Sequence, residues 1–228
     1  MGIDKKRFVL DDLAPNVAIV QELSKSAALL RETGISSIWA TPGKSELKGF
    51  AVIGFDGWTI ERLDTPTPQP WVLPCRVSRP DGTHWANVLA IWTHKSQDDG
   101  RPPYAQQFQE AIKAWSTTIE STRTLAVGDL NASIQGPSRG GHEESLRCAQ
   151  AVGLESTYHA ARNEEHGAET SMTLKWIGPG KKAYYYHCDF IFAPRSMTSG
   201  SRAFVHPLFA SATGHVSDHQ PVVVDFID

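Results

Sequence analysis

The spacing of apolar positions along the chain changes period several times, and each change marks an element. Residues 5–14 carry a helical spacing that stops before Pro15. Asn16-Val17-Ala18-Ile19-Val20-Gln21-Glu22 follows as a short apolar strand ending in a carboxylate. The pattern then predicts a helix over 23–33 and a strand near 36–40. Gly49 to Gly54 and Trp58 to Leu63 read as two strands on either side of the turn Asp56-Gly57. Residues 64–70, rich in Pro and Thr, read as a surface connection. Trp71 to Ser78 and Trp85 to Thr93 make a hairpin around Pro80-Asp81-Gly82, where the residue types favour a tight turn.

After a polar loop at 95–102, Phe108, Ile112, Trp115 and Ile119 recur at helical spacing over 104–120. A strand over 124–129 ends at Asp129, and the Gly- and Pro-containing stretch 132–141 reads as loop. A helix over 143–152 leads into Leu154 to His159, and 160–171 is polar. Strand signals at 172–177 and 183–192 flank the turn Gly178-Pro179-Gly180-Lys181-Lys182. Residues 194–205 read as irregular, and 221–226 as a final strand. There is no internal repeat, low-complexity tract or linker, so residues 1–228 are expected to form a single domain. Strand hairpins alternating with a few helices predict an α+β fold, two packed sheets with helices outside.

Composition narrows the function classes. The 228 residues can bury a substantial core, and 40% hydrophobic with 21% charged residues is ordinary for a globular protein. A formal charge of −3 argues against a dedicated nucleic-acid scaffold, though not against a nuclease with a local basic rim. No segment has the length and apolarity of a membrane span, so no membrane insertion is expected. Cys75, Cys148 and Cys188 are odd in number and lack metal-ligand spacing, which predicts a reducing, cytoplasmic setting. The sequence is silent on oligomeric state.

Chemistry concentrates at three strand ends. Asp218-His219 stands at the entrance of the apolar run Val222-Val223-Val224, Gly128-Asp129-Leu130-Asn131 closes another strand, and Cys188-Asp189 opens a third. Rigid strands can hold an imidazole beside carboxylates, and this set suggests metal-assisted hydrolysis. Each feature alone has a plainer reading. Gly, Asp and Asn are common in turns, Asp218 could be a capping residue, and Cys188 is best read as a small buried hydrophobe.

Taken together, five ordered segments resemble the endonuclease/exonuclease/phosphatase superfamily. They are Ile19-Val20-Gln21-Glu22, Gly49-Phe50-Ala51-Val52-Ile53, Gly128-Asp129-Leu130-Asn131, Cys188-Asp189-Phe190-Ile191-Phe192 and Ser217-Asp218-His219-Gln220-Pro221, and the resemblance spans residues 5–228. It implies a four-layer α/β/β/α sandwich of two mixed β-sheets flanked by helices. Members of that family begin with an Asn-bearing strand, which has no counterpart ahead of the first helix here; either the strand has been lost or, as is favoured, Met1 is internal to a longer reading frame.

The resemblance also implies roles. Glu22 and Asp218 would hold Mg²⁺ or Mn²⁺, Asp129 would activate the attacking water, and Asn131 would donate to the phosphoryl group. His219 would contact the phosphate, with Asp189 holding its other ring nitrogen. His94, at the end of an apolar strand, is either a second catalytic histidine or a solvated loop residue. His142, His159 and His187 could line a pocket with Trp176 as a substrate-binding, ring-stacking group, although each histidine alone reads more readily as structural, and Lys175, Lys181 and Lys182 either flank the cleft or are solvated. The leading expectation is a nuclease-type phosphodiesterase acting on nucleic acid. The alternatives are a phosphatase or phosphodiesterase for a small or lipid-derived ester, and a non-catalytic binding domain.

Overall fold

The uncharged run Gly49–Gly54 is buried along its whole length, with Phe50 to Ile53 all at 0% exposure. Such a strand must be covered on both faces, and it organises the first part of the chain. In the computed structural model of the protein, residues 7–43, 45–64, 69–94, 101–208 and 217–227 are described. The predicted features at 5–6, 65–68 and 95–100 lie outside those residues. The chain falls into two compact units, one within Met1–Trp92 and Ser121–Gly128, the other within Thr93–Glu120 and Asp129–Asp228.

In the first unit, helix α1 (Arg7–Leu13) precedes strands β1 (Val17–Leu23), β2 (Ser36–Ala40) and β3 (Gly49–Gly54), which form an antiparallel sheet in the order β1-β3-β2. Leu23, Ala27, Leu29, Ala51 and Ile53 make its core, with Leu10, Val20 and Trp39 packed against them. The Trp39 indole N–H donates to the Leu23 carbonyl at 2.9 Å, which satisfies its one polar atom. β4 (Thr59–Arg62), β5 (Val72–Ser78), β6 (His84–Trp92) and β7 (Thr124–Asp129) follow in that spatial order. The turn between β3 and β4 forms as predicted, with Trp58 N–H donating to the Phe55 carbonyl, but the two strands pair with different neighbours.

The helix predicted over 23–33 is replaced by a single 3₁₀ turn at Ala28–Arg31. The Ser24 hydroxyl accepts from the Ser26 N–H at 3.2 Å and shares a hydrogen bond with the Ser26 hydroxyl. Such local side-chain bonds offer the backbone an alternative to helix. Lys25 N–H is also drawn to the Glu46 carbonyl.

The second unit begins with α2 (Tyr104–Ser121), whose buried Ala105, Phe108, Ala111, Ile112, Trp115 and Ile119 trace one face at helical spacing. α3 (Arg139–Ala151), β8 (Leu154–Ser156) and α4 (Thr157–Arg162) come next. β9 (Leu174–Ile177) and β10 (Ala183–Tyr186) form the predicted hairpin. β11 (Asp189–Pro194) pairs antiparallel with β8, and after the single turn α5 (Arg195–Thr198), β12 (Arg202–Val205) pairs with β13 (Val222–Asp225). α3 starts earlier than predicted, at Arg139.

The strand expected over 183–192 breaks at His187-Cys188, because the Thr173 hydroxyl accepts from both the Cys188 and Asp189 N–H groups at 3.0 and 3.1 Å. Residues 194–205 are not irregular throughout, since Arg202 to Val205 find partners at Asp225 to Val222. The fold is α+β, with mixed β-sheets flanked by helices, consistent with the sandwich predicted.

Candidate active site

β7 delivers Asp129 from a strand whose six residues are all buried. Gly128 makes that approach possible. Its φ is +148°, and a Cβ there would stand 1.8 Å from the Ile91 carbonyl oxygen. Beyond Asp129 the chain turns sharply at Asn131, which adopts a left-handed φ of +46° that Asn tolerates better than most residues. The Asn131 N–H donates to Asp129 Oδ1 at 2.8 Å, and its side-chain amide donates to Asp129 Oδ2 at 2.8 Å and to the Thr93 carbonyl at 3.0 Å. Asn131 therefore holds both oxygens of Asp129 while anchored to Thr93.

Asp189 opens β11, where Thr173 holds the backbone N–H groups of both Cys188 and Asp189. The third segment, 217–220, is stitched to residues 172–175. Lys175 N–H donates to the Asp218 carbonyl, Gln220 N–H donates to the Thr173 carbonyl, and the Gln220 amide donates to the Met172 carbonyl. This register sets the His219 ring against Asp189, Nδ1 to Oδ2 at 2.9 Å. Nδ1 is then the donor, and the Nε2 edge is available to a ligand.

Electrostatics tie the group together. Burial is the largest influence on Asp129 and the negative Asp189 the next; against the pull of His219 and the Asn131 N–H they raise its pKa to about 7. Burial alone would depress the His219 pKa, but Asp189, Asp129 and Asp218 outweigh it and raise it to about 10. Burial pushes the Cys188 thiol well up, so it stays a neutral, small, buried group as predicted. Asp129, Asp189 and His219 present ligand-capable atoms within 4.8 Å of one another, together with Cys188. The Asp129 and Asp189 carboxylates, with Asp218 close by, concentrate negative charge of the kind that a hard divalent cation offsets.

The remaining predicted residues have different settings. Asp218 is exposed beside His219. Glu22, in the first unit, is the extra residue of a bulge between the Gln21–Phe50 and Leu23–Gly49 pairs, with a φ of +56° and an exposed ion pair to Lys48 at 3.1 Å. Bulges re-aim side chains and concentrate near active sites. The His94 backbone is clamped at both ends by the buried Gln107 side chain, at 3.1 Å each.

His142, His187 and Trp176 are not brought together as one open stacking surface. His142 and His187 are 1% and 0% exposed, packed against Phe190 at 5.1 Å, whereas Trp176 is 46% exposed on the β9–β10 hairpin beside Tyr184. On that hairpin Lys175 lies over Tyr185 and Lys182 over Tyr184. Sequence reasoning assigned no role to Thr173 and passed over His166 and Glu169. No local pattern marks a threonine that will accept two N–H groups from a strand fifteen residues later.

No protein-family profile and no curated protein matches the chain by sequence. Solved structures do match. The endonuclease domain of TRAS1, a telomere-specific non-LTR retrotransposon, is 16% identical, with a TM-score of 0.66 over 99% of this chain and 95% of that one. Truncated TDP2 from Caenorhabditis elegans is 14% identical, with a TM-score of 0.69 over 99% and 91%. An endonuclease/exonuclease/phosphatase family protein from Bacteroides thetaiotaomicron is 14% identical, with a TM-score of 0.61 over 98% and 87%. The chain has the endonuclease/exonuclease/phosphatase type of fold, the one its sequence segments resemble. Among the described residues, no helix is long and apolar enough to cross a membrane.

Proposed function

We propose that the protein is a divalent-metal-dependent phosphodiesterase of the nuclease type. The observation that carries this reading is the packing of a buried Asp129, titrating near neutrality, beside the Asp189–His219 pair. In the proposed reaction the oxygen of a water attacks phosphorus and its proton passes to Asp129, while the bond from phosphorus to the leaving oxygen breaks. The imidazolium of His219 faces the phosphoryl oxygens and offsets the charge that builds on them. Asp189 keeps that ring protonated and oriented, and Asn131 fixes the carboxylate of Asp129. For Asn131 to donate to the phosphoryl group as well, it would release the Thr93 carbonyl. His94 is the proposed donor to the leaving oxygen. Mg²⁺ or Mn²⁺, when bound, would polarise the phosphoryl oxygens; in the second unit Asp218 is the proposed ligand.

Nucleic acid is the favoured substrate. The β9–β10 hairpin exposes Trp176 on one face, beside Tyr184 and Lys182, an aromatic and cationic surface suited to stacked bases and phosphates; Tyr185 and Lys175 pair on the opposite face. The endonuclease named among the structural neighbours points the same way. The second reading, a small phosphate ester, is favoured by the formal charge of −3. The test is hydrolysis of supercoiled plasmid and of bis(p-nitrophenyl) phosphate in Mg²⁺, Mn²⁺ or EDTA, with His219→Ala as control. Metal-dependent cleavage of both, lost in the variant, supports the nuclease; cleavage of the small ester alone supports the second reading. A folded chain that cleaves neither sinks both.

A further inference from the structure

Apart from the Asp129–His219 centre, the second unit contains a cluster of four histidines and one glutamate. His159 Nε2 lies 3.1 Å from Glu169 Oε1, and both side chains are almost wholly buried, at 6% and 2% exposure. The His166 ring stacks on His159 at 3.6 Å between centroids, with His142 at 6.2 Å from His166. One ligand-capable atom from each of His159, His166 and Glu169 falls within 4.8 Å of the others. Of the imidazole nitrogens here, His142 Nδ1 and Nε2, His166 Nδ1 and His187 Nε2 are buried with no hydrogen-bond partner. Buried polar atoms without partners are rare and call for a physical reason.

We infer that His159, His166 and Glu169 form a transition-metal site, Zn²⁺ by its chemistry, separate from the hydrolytic centre. The donor set is imidazole, imidazole and carboxylate, which suits zinc. Ligands around a tetrahedral zinc at roughly 2.0–2.1 Å stand about 3.3 Å apart, close to the existing His159–Glu169 separation, and the His166 ring would swing off its stack on His159 to turn its own nitrogen to the ion.

The supporting groups have the arrangement that metal ligands require. His159 Nδ1 is hydrogen-bonded to the Ser156 hydroxyl at 2.8 Å, which leaves Nε2 as the ligand nitrogen. Glu169 Oε1 accepts the Gly167 N–H at 2.9 Å, and its other oxygen accepts the Gln135 amide. A cavity of about 210 Å³ borders His159 and His166, giving a fourth position to water with His142 nearby. The site would tie α4 to the segment that leads to Thr173, and through Gln135 to the loop after Asn131.

The untagged full chain, stripped with chelator and then titrated with Co²⁺ in millimolar Mg²⁺, tests this. The Mg²⁺ occupies oxygen sites, and Co²⁺ reports nitrogen ligands by its visible bands. One equivalent is expected, displaced by Zn²⁺, with Zn²⁺ raising the melting temperature. His219→Ala should keep the band; His166→Ala and Glu169→Gln should lose it and the melting shift. His166 is only partly buried, so its variant should fold even if the glutamate variant does not. A folded wild-type chain without a band, or a band that survives His166→Ala, would overturn the inference. Neither result bears on plasmid cleavage.

Discussion

His219 and Asp189 stand thirty residues apart in the chain, yet the imidazole Nδ1 donates to the carboxylate at 2.9 Å. Neither residue is placed by its own element alone. His219 is positioned by backbone bonds to residues 173–175, and Asp189 by the hydroxyl of Thr173, so one short segment sets both partners.

That pairing predicts how catalysis responds to mutation. His219→Ala should lower kcat by about 10²–10⁴ in either metal. Asp189→Asn removes the main charge raising the His219 pKa, which should fall from about 10 toward the ordinary value. An NMR titration of the imidazole, in EDTA, reads this directly; an unmoved value would sink the assignment.

The pH profile follows from the same charges. With Asp129 as base, turnover should rise through an acid limb at or below about pH 7, a bound cation moving the limb lower, and fall as His219 deprotonates near 10. Stability has its own sign. Both groups hold their protons more tightly folded than unfolded, so the folded state loses stability as pH rises. The Asp129 contribution goes between the ordinary Asp range and about 7. The His219 contribution is full below the ordinary His value and lost by about 10. Urea midpoints of metal-free protein across pH would reveal the trend, and a flat profile would contradict it.

Thr173→Val keeps the shape of the side chain but leaves the Cys188 and Asp189 N–H groups without their acceptor. A loss of about 1–3 kcal/mol per buried donor is expected, with lower activity, while Thr173→Ser should retain both. Equal effects from Val and Ser would show that the hydroxyl is immaterial.

Gly128→Ala asks a backbone at φ +148° to accept a Cβ that would collide with the Ile91 carbonyl. A cost of about 2–4 kcal/mol is expected in denaturant melts. An unchanged midpoint would mean that the strand relaxes freely there.

Trp176→Ala tests the exposed hairpin. Nucleic-acid affinity should weaken by about 1–3 kcal/mol, seen as a higher KM on oligonucleotides. Turnover of bis(p-nitrophenyl) phosphate should not change; equal losses on both substrates would remove the hairpin from substrate recognition.

Much of the fold could be read along the chain. The Trp71 to Thr93 hairpin, the amphipathic α2 and the buried β3 each announce themselves through period and turn residues, because their signals are local. The candidate site was legible in part: the strand ends bearing Asp129, Asp189 and His219 were visible as sequence. The helix expected at 23–33 failed because serine side chains there compete for the backbone. β12 went unread because its partner β13 lies seventeen or more residues away.

By itself, then, the sequence determined which residues would be apolar strand, which would be amphipathic helix, and where acids and imidazoles would interrupt them. Only the tertiary structure decided that Asn131 grips Asp129, that Thr173 splits a strand, and that His142 and His187 lie buried while Trp176 faces outward. The physical reason is range. Periodicity and turn chemistry act over a few residues, whereas burial, pKa and hydrogen-bond partnership arise from groups brought together across the chain.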